Sequence, residues 1–299
     1  MTEPLFSIVI PSFNYALTLP RAVESVLSQE GEDFELLVVN DGSTDETDGV
    51  IQSLLAETDN AFRYIKQENA GPAATRNAGI EAGSGRFFIF LDADDEMAVN
   101  ALEYYREQII KTPRVGMIAG GHLSRDENGR EKAHLPGALP ASKYKKLQAY
   151  LLDKTVSFSN GAVTISSSVF DSYRYPERFR SSEDIPMFAH ILANYEVTII
   201  DSSLAIIYKH SDSLRHNVGY VREVGLAVVS EVFDTERIPP ALLSLKEAFM
   251  AQRSLSLFRT LYGAGKYKEA RKYYHRAIAI VPTSLFQFSY LRKYLKSWF

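Results

Sequence analysis

The first 120 residues alternate short apolar runs with segments of helical periodicity, and this alternation restricts the possible folds of the chain more than any other feature. The apolar runs are rich in β-branched and aromatic residues and lie at 5–10, 34–39, 62–65, 86–91 and 115–119. The segments between them carry apolar residues at helical spacing and lie at 17–29, 44–55, 72–82 and 100–110. Strands that are apolar throughout and alternate with helices are typical of a parallel sheet buried on both faces. The sequence therefore predicts an α/β protein, Rossmann-like, with a mostly parallel central sheet and flanking helices.

The second half of the chain is less regular and ends in helices. The stretch 124–140 is polar and contains glycine and proline, which predicts a loop or an excursion from the sheet. Periodicity then predicts a strand, a helix and a strand at 157–169, 184–195 and 197–208. From about Tyr220 onward every segment has helical periodicity. We therefore predict a sheet-forming domain over 1–220 and a helical C-terminal region over 221–299.

The C-terminal region differs from the rest of the chain in charge. Residues 251–299 contain ten Lys and Arg against one acid, Glu269, whereas the whole chain has a net charge of -4. The first 250 residues therefore carry a charge of -13. An acidic body with a basic, aromatic end indicates an enzyme core joined to a segment that meets an anionic surface.

Two patterns stand out in this basic region. The spacing Gly265-x-Tyr267-x2-Ala270-x3-Tyr274-x2-Ala277-x4-Pro282 matches the second half of one tetratricopeptide-type helix pair. Beyond it, a terminal helix over 284–299 would place an apolar stripe of Leu285, Phe288, Leu291, Leu295, Trp298 and Phe299 beside Arg292, Lys293 and Lys296. Such a helix could lie on an anionic membrane surface. Alternatively, the stripe could dock on the protein body or on a protein partner.

Several classes of protein are excluded by composition. The chain has no cysteine, which rules out disulfides, thiolate metal sites and cysteine nucleophiles. No apolar run approaches the ~20 residues that cross a bilayer. Residues 1–4 are too short and acidic for a signal peptide. We therefore expect a cytoplasmic protein, with peripheral attachment to the inner face of the cell membrane if the terminal helix binds lipid.

The strongest local signal is the acidic sequence Leu91-Asp92-Ala93-Asp94-Asp95, which directly follows an apolar strand. Three carboxylates this close repel one another unless a cation lies among them. Oxygen ligands without sulfur suit Mg²⁺ or Mn²⁺ rather than Zn²⁺. Taken alone, the cluster could equally be a solvated turn or a helix cap.

Polar residues follow the neighbouring strands as well. Pro11-Ser12-Phe13-Asn14 ends the first strand, Asn40-Asp41-Gly42 ends the second, and Arg76 lies one turn into the helix after the third. A parallel sheet gathers these strand ends along one edge, where ligands of open α/β sheets bind. A carboxylate that accepts a base N–H, an arginine and a metal site together describe a pocket for a nucleotide diphosphate. The chain has neither G-x-G-x-x-G nor G-x4-G-K-[ST], which counts against a dinucleotide oxidoreductase or a P-loop ATPase.

These motifs resemble those of the family 2 glycosyltransferases, which have the GT-A fold. The resemblance is close over about the first 100 residues and looser over the next 110. It runs through 7–14, 39–45, 69–77 and 90–95. It implies transfer of a sugar from a nucleotide sugar with inversion at the anomeric carbon. It also implies a nucleotide-binding half at 1–96 and an acceptor-binding half at 97–220.

The resemblance assigns roles on the donor side. Asp41 would accept the N3–H of a uracil or thymine base lined by Pro11 and Phe13, and Arg76 would lie against the nucleotide. In Asp92-Ala93-Asp94, Asp94 would bind Mn²⁺ or Mg²⁺ directly, and Asp92 would face the ribose or a metal-bound water. A histidine after the last strand would be a further metal ligand, which is His210 or, as a substitute, His216. A UDP-sugar is favoured over a dTDP-sugar by frequency in the family.

On the acceptor side, an inverting enzyme needs a base to deprotonate the attacking hydroxyl. Ser181-Ser182-Glu183-Asp184 resembles the family's Glu-Asp motif, with Asp184 as the base and Glu183 as an acceptor-binding or orienting group. The alternative is that these residues only cap the helix that Pro186 helps to start.

The acceptor would be a saccharide or lipid-linked, as in surface polysaccharide or glycoconjugate synthesis, and no nucleic-acid partner is expected. Two other functions fit the same sheet: a sugar-phosphate nucleotidyltransferase and a non-catalytic module that binds nucleotide sugars or a partner. Against the nucleotidyltransferase, this chain lacks the Gly-rich loop that usually follows strand one in such enzymes. Against the non-catalytic module, the chain has the Glu183-Asp184 pair.

Overall fold

A mixed sheet with helices on both faces forms the body of the protein. The computed structural model describes residues 3–209 and 218–298. The strands within these ranges are β1 Phe6–Ser12, β2 Phe34–Asn40, β3 Arg63–Lys66, β4 Phe87–Phe90, β5 Glu96–Met97, β6 Met117–Arg125, β7 Glu131–His134, β8 Val163–Ser166 and β9 Val197–Tyr208. The helices are α1 Leu19–Leu27, α2 Thr47–Glu57, α3 Pro72–Ala82, α4 Ala101–Lys111, α5 Lys143–Gln148, α6 Asp184–Asn194, α7 Val218–Val224, α8 Ala227–Val232, α9 Lys246–Gly263, α10 Tyr267–Ile280 and α11 Phe288–Lys296.

The strand order explains how the predicted polar residues come together. The sheet runs β3-β2-β1-β4-β8-β6-β9-β5, with β7 added on β6. Strands β1 to β4 are parallel, and Ser12 lies opposite Asn40, which lies opposite Lys66. Their carboxyl ends therefore share one edge of the sheet. Strands β6 and β9 are also parallel, and β8 joins the two parallel groups in antiparallel pairing.

Alternate residues of the central strands enter different cores, as expected for a sheet buried on both faces. Val9 and Phe90 belong to the core covered by α3, α6 and the C-terminal helices. Ile8 and Ile89 belong to the opposite core, covered by α1 and α4. The unbroken apolar runs in the sequence thus reflect two buried faces, which confirms the predicted α/β class.

The C-terminal region is helical as predicted, and its first part is built into the body. Val228 and Val232 of α8 and Phe249 of α9 share a core with the sheet. The rest of α9 packs with α10 and α11 in a separate cluster, where Ala270, Tyr274 and Ala277 are fully buried. The tetratricopeptide-like spacing from Gly265 to Pro282 falls on α10, which packs against α9. The division at residue 220 stays a prediction.

The terminal helix α11 docks through a different face from the predicted stripe. Tyr290 and Tyr294 pack against α9 and α10. Phe288 and Leu295 of the stripe are 82% and 55% exposed. Among the helices of residues 3–209 and 218–298, none is long and apolar enough to cross a membrane.

Two sequence predictions differ from the structure. The expected loop at 124–140 contains the end of β6, a turn at Asp126–Arg130 and strand β7. Asp126 accepts the backbone N–H of Asn128 and Arg130, and Gly129 has φ +74°. Strand β7 is at the edge of the sheet and exposes polar side chains, so it lacks the apolar alternation that reveals buried strands. The strand expected over 157–169 is confined to Val163–Ser166, between two 3-10 turns.

Candidate active site

A cleft of about 1340 Å³ opens at the carboxyl ends of β1, β2 and β4. It is lined from the donor half by Pro11, Phe13, Asp41, Arg76, Asp92, Ala93 and Asp94, and from the acceptor half by Glu183 and Asp184. Nine predicted site residues, distributed over about 170 positions of the chain, therefore meet in one cavity. His210 and His216 lie outside the described residues.

Asp41 is buried at the end of β2, where its carboxylate holds the loop before α3. One oxygen accepts from Gln67 Nε2 at 2.7 Å and from the Ala70 N–H at 2.9 Å. The other accepts from the Gly71 N–H at 2.8 Å and from Asn69 Nδ2 at 3.2 Å. Gly71 has φ +94°, a conformation that glycine adopts without strain. Asp41 thus shapes the wall of the cleft, and a base could pair with it only by replacing a side-chain donor.

Arg76 is buried between carboxylates from both halves of the sheet. Its Nη1 donates to Glu183 Oε1 at 2.5 Å and its Nη2 to Asp92 Oδ1 at 2.9 Å. The two carboxylates raise the pKa of Arg76 although burial opposes them. The ring of Tyr175 lies below the guanidinium, 5.6 Å from its carbon. Arg76 therefore fixes the distance between the acidic cluster after β4 and the turn before α6.

The acidic cluster concentrates negative charge at the mouth of the cleft. Burial and the neighbouring carboxylates raise the pKa of Asp92, although Arg76 opposes this shift. The same causes raise the pKa of Asp95 well above its usual range, against a hydrogen bond from the Tyr208 N–H. Repulsion of this kind is relieved when a cation binds.

Of the three predicted metal ligands, Asp92 and Asp94 belong to the described residues, and His210 does not. Within residues 3–209 and 218–298 no three His, Asp or Glu side chains gather closely enough to hold a metal alone. Asp92 gives one oxygen to Arg76, and both Asp92 and Asp94 line the cleft. Mg²⁺ is commonly held by one or two carboxylates together with substrate phosphates. The donor set fits a divalent cation under that condition.

The turn before α6 presents Glu183 and Asp184 to the cleft. Ser182 has φ +61°, which is strained for a serine and is typical of functional turns. Glu183, the N-cap residue of α6, makes no side-chain capping hydrogen bond. Burial, followed by the charge of Glu183, raises the pKa of Asp184 to about 6, although Arg76 and backbone N–H groups act against the shift. Asp184 can therefore exchange a proton near neutral pH.

Sequence reasoning missed the contribution of the C-terminal helix α9 to this cleft. Arg253, Ser256, Thr260 and Gly263 lie on one face of α9 and line the cleft, with Arg259 beside them. Only the spacing of small and basic residues at i, i+3, i+7 and i+10 could have indicated this face. It carries no known motif.

The histidines of the β6–β7 hairpin were also missed. His122 and His134 line the cleft and stack with ring centroids 4.8 Å apart. Burial and the adjacent positive charge lower the pKa of both. Their cross-strand pairing could not be predicted because the hairpin itself was expected to be a loop.

Polar atoms in the cleft have hydrogen-bonding capacity that the described protein atoms do not use. Five buried atoms in its wall have no partner among the described residues: Ser12 Oγ, Arg76 Nε, Asn160 Oδ1, Ser181 Oγ and Arg253 Nη2. Buried polar groups in native proteins are nearly always satisfied. Ordered water or a polar ligand in the cleft would supply these partners.

The family model for glycosyl transferase family 2 matches residues 7–174. The chain therefore belongs to glycosyl transferase family 2, as its motifs indicated.

Related proteins agree with this assignment. The GalNAc(5)-diNAcBac-PP-undecaprenol beta-1,3-glucosyltransferase of Campylobacter jejuni is 36% identical over 182 residues, which cover 60% of this chain and 57% of the relative. The chain spans between 26% and 57% of the length of the first curated relatives that it matches.

Solved structures share the fold. S. aureus TarS 1-349 in complex with UDP-GlcNAc superposes with a TM-score of 0.63 at 17% identity, covering 98% of this chain and 88% of TarS. The mannosyltransferase PcManGT from Pyrobaculum calidifontis, in complex with GDP-Man and Mn²⁺, gives a TM-score of 0.56 at 14% identity, covering 95% and 88% of the two chains. These likenesses confirm the expected GT-A fold.

The raised pKa of Asp184 predicts a stability that falls with pH. A carboxyl whose pKa is higher in the folded than in the unfolded protein favours folding below its unfolded pKa, and this contribution is lost as pH rises through about 6. Asp184→Asn should therefore increase the free energy of unfolding by about 1–3 kcal/mol at pH 8 and change it little at pH 4. Urea unfolding at both pH values measures this. Asp171→Asn, at an exposed site, is the control, and an equal gain at pH 4 and pH 8 would contradict the interpretation.

Proposed function

We propose that this protein is a metal-dependent inverting glycosyltransferase, moving a sugar from a nucleotide-diphosphate sugar, with UDP favoured, to a saccharide or lipid-linked acceptor. The observation that carries the proposal is the double ion pair of Arg76. It joins Asp92 of the donor half to Glu183 of the acceptor half, and thereby keeps Asp94 and Asp184 in one cleft.

The donor nucleotide would lie between the ends of β1 and β2. Phe13 is half-exposed at the mouth of the cleft and offers a ring against which a base can stack, with Pro11 behind it. Asp41 would accept the base N–H once Gln67 or Asn69 turns its amide away. The backbone donors of Ala70 and Gly71 would stay on Asp41, which keeps its carboxylate oriented during the exchange.

Asp94 and Asp92 would hold a Mn²⁺ or Mg²⁺ ion, with His210 as a further ligand. When bound, the ion neutralises charge on the leaving diphosphate. Asp92 remains oriented by Arg76, to which its Oδ1 is bound.

Asp184 would act as the general base. It takes the proton of the acceptor hydroxyl while the oxygen attacks the anomeric carbon, and the bond from that carbon to the diphosphate breaks on the opposite side. Glu183 would orient rather than react, because its carboxylate is buried and bound to Arg76. The charge of Glu183 also raises the pKa of Asp184, which makes Asp184 a stronger base.

A membrane-bound acceptor would suit the C-terminal helix. The Campylobacter relative is named for an undecaprenol-linked substrate, and α11 of this chain presents exposed Phe288 and Leu295 beside Arg292 and Lys293. Apolar side chains flanked by basic residues fit an anionic lipid surface. We propose that α11 places the enzyme peripherally on the inner face of the cell membrane.

Replacement of the base should abolish transfer. Asp184→Asn is expected to lower kcat by about 10²–10⁴-fold, the usual contribution of a positioned base, while UDP affinity stays within a few-fold. In the wild type, kcat should fall below pH 6 as Asp184 is protonated, and Asp184→Asn should lose this dependence. Release of UDP from UDP-sugars across pH 5–9 measures both effects. A variant that keeps more than about a tenth of wild-type turnover would exclude Asp184 as the base.

The donor nucleotide sugar can be identified by the rise in Tm that each candidate causes when it binds. Thermal unfolding with UDP-, dTDP- and GDP-sugars is expected to show the largest rise in Tm for a UDP-sugar, and only when Mn²⁺ is present. Asp94→Asn should remove the Mn²⁺-dependent part of the rise. Stabilisation without hydrolysis or transfer would instead support the non-catalytic binding module, and equal stabilisation with and without Mn²⁺ would contradict metal dependence.

Membrane binding should depend on the exposed side chains of α11. Phe288→Ser together with Leu295→Ser is expected to reduce sedimentation with vesicles of anionic lipid, because both side chains are solvent-exposed in the structure. Neutral vesicles should bind less well than anionic ones. Leu17→Ser provides the control, because Leu17 is also exposed but belongs to the donor half and is distant in sequence from α11. Unchanged sedimentation of the double variant would remove α11 from the membrane contact.

A further inference from the structure

We propose that Arg253, with Arg259 and Lys154, forms a subsite for a phosphate group of the acceptor. The inference rests on the proposed function and deepens it: the acceptor would be an anion whose phosphate lies beside the hydroxyl that Asp184 deprotonates.

Arg253 is an unusual residue in the wall of this cleft. It is only 8% exposed, and its Nε donates to the Gly225 carbonyl at 3.2 Å, which anchors the side chain at the turn between α7 and α8. Its Nη2 is buried without a hydrogen-bond partner among the described residues. None of the ion pairs within residues 3–209 and 218–298 involves Arg253.

A buried guanidinium without a hydrogen-bonded anion is costly, because its lost hydration is not replaced. Arginine keeps its charge in proteins, so the cost is not avoided by loss of the proton. A planar donor with a free N–H edge suits phosphate, which can accept two hydrogen bonds at once. The unsatisfied Nη2 therefore indicates an anionic ligand at this point of the cleft.

The neighbouring charges define where the anion would lie. α9 packs against the turn 149–153, which Lys154 follows. Burial, followed by the charge of Arg253, lowers the pKa of Lys154, and the charge of Asp184 opposes this shift, so the three groups are close to one another. Arg259 lines the same cleft one and a half turns further along α9. Two cations that repel each other next to the base form a site that an acceptor phosphate would complete.

The rest of the α9 face leaves space for such a ligand. Ser256, Thr260 and Gly263 bear small side chains or none, and a Cβ built at Gly263 would meet no atom within 4 Å. The donor diphosphate is a less suitable occupant, because Arg253 lies near Asp184, whose charge opposes the lowering of the Arg253 pKa by burial, whereas the diphosphate is expected beside Asp94.

Binding can be tested independently of turnover. Full-length protein saturated with UDP is titrated calorimetrically with geranyl diphosphate, which represents a lipid-linked phosphate, and with a glycerol-phosphate trimer, which represents a polymer. Arg253→Gln should weaken binding of at least one probe about tenfold or more, as expected for lost hydrogen bonds to a charged group. Arg259→Gln should weaken it by a smaller factor.

The control is Arg276→Gln, which removes the same charge from an exposed position of α10 outside the cleft. It should bind both probes as the wild type does, and UDP affinity should be unchanged in all variants. The probe that Arg253→Gln weakens more identifies the source of the phosphate as lipid or polymer. If Arg253→Gln does not fold, the effect of Arg259→Gln on probe binding tests the subsite instead.

Three results would overturn the subsite: wild-type protein that binds neither probe, probe binding that Arg253→Gln and Arg259→Gln leave unchanged, or a parallel loss of UDP affinity that assigns Arg253 to the donor. Failure of the proposed function looks different. In that case no UDP-sugar is turned over, while Arg253-dependent binding of the probes is still measurable.

Discussion

Arg76 donates to carboxylates that come from opposite halves of the sheet, and the geometry of the cleft depends on this contact. A buried guanidinium needs counter-charges close by, and here Asp92 and Glu183 provide them. The requirement is mutual, because Glu183 is buried and has to stay near Arg76. Electrostatics inside the protein thus fixes the spacing between the acidic cluster and the proposed base, which sheet packing alone would leave less well defined.

Much of the body could be predicted because its signals are local. The apolar strands β1, β2 and β4 have a buried face on each side, so their composition identifies them without knowledge of their partners. The same parallel order brings strand ends to one edge, which is why the sequence alone groups Asp41, Arg76 and Asp94. Glu183 and Asp184 could be added only by resemblance to a family.

The remaining features depend on contacts between distant segments. The four donors around Asp41 come from a loop that begins 26 residues later, and no periodicity in the sequence predicts them. The hairpin that carries His122 and His134 adds the exposed strand β7 to β6, and β7 lacks an apolar pattern. The face of α9 that enters the cleft follows from how the C-terminal helices fold back on the sheet, and a sequence without a motif gives no sign of such packing.

The environment of Asp41 restricts which bases can occupy the cleft. A carboxylate surrounded by N–H donors can only accept, so a base paired with it has to present a hydrogen of its own. Uracil and thymine do so through an imide N–H. At the position of that imide N–H, cytosine has a ring nitrogen with a lone pair, and its donor is the exocyclic amino group beside it. Discrimination against cytidine nucleotides would then be a property of the loop before α3, set by four hydrogen bonds that exist before any ligand arrives.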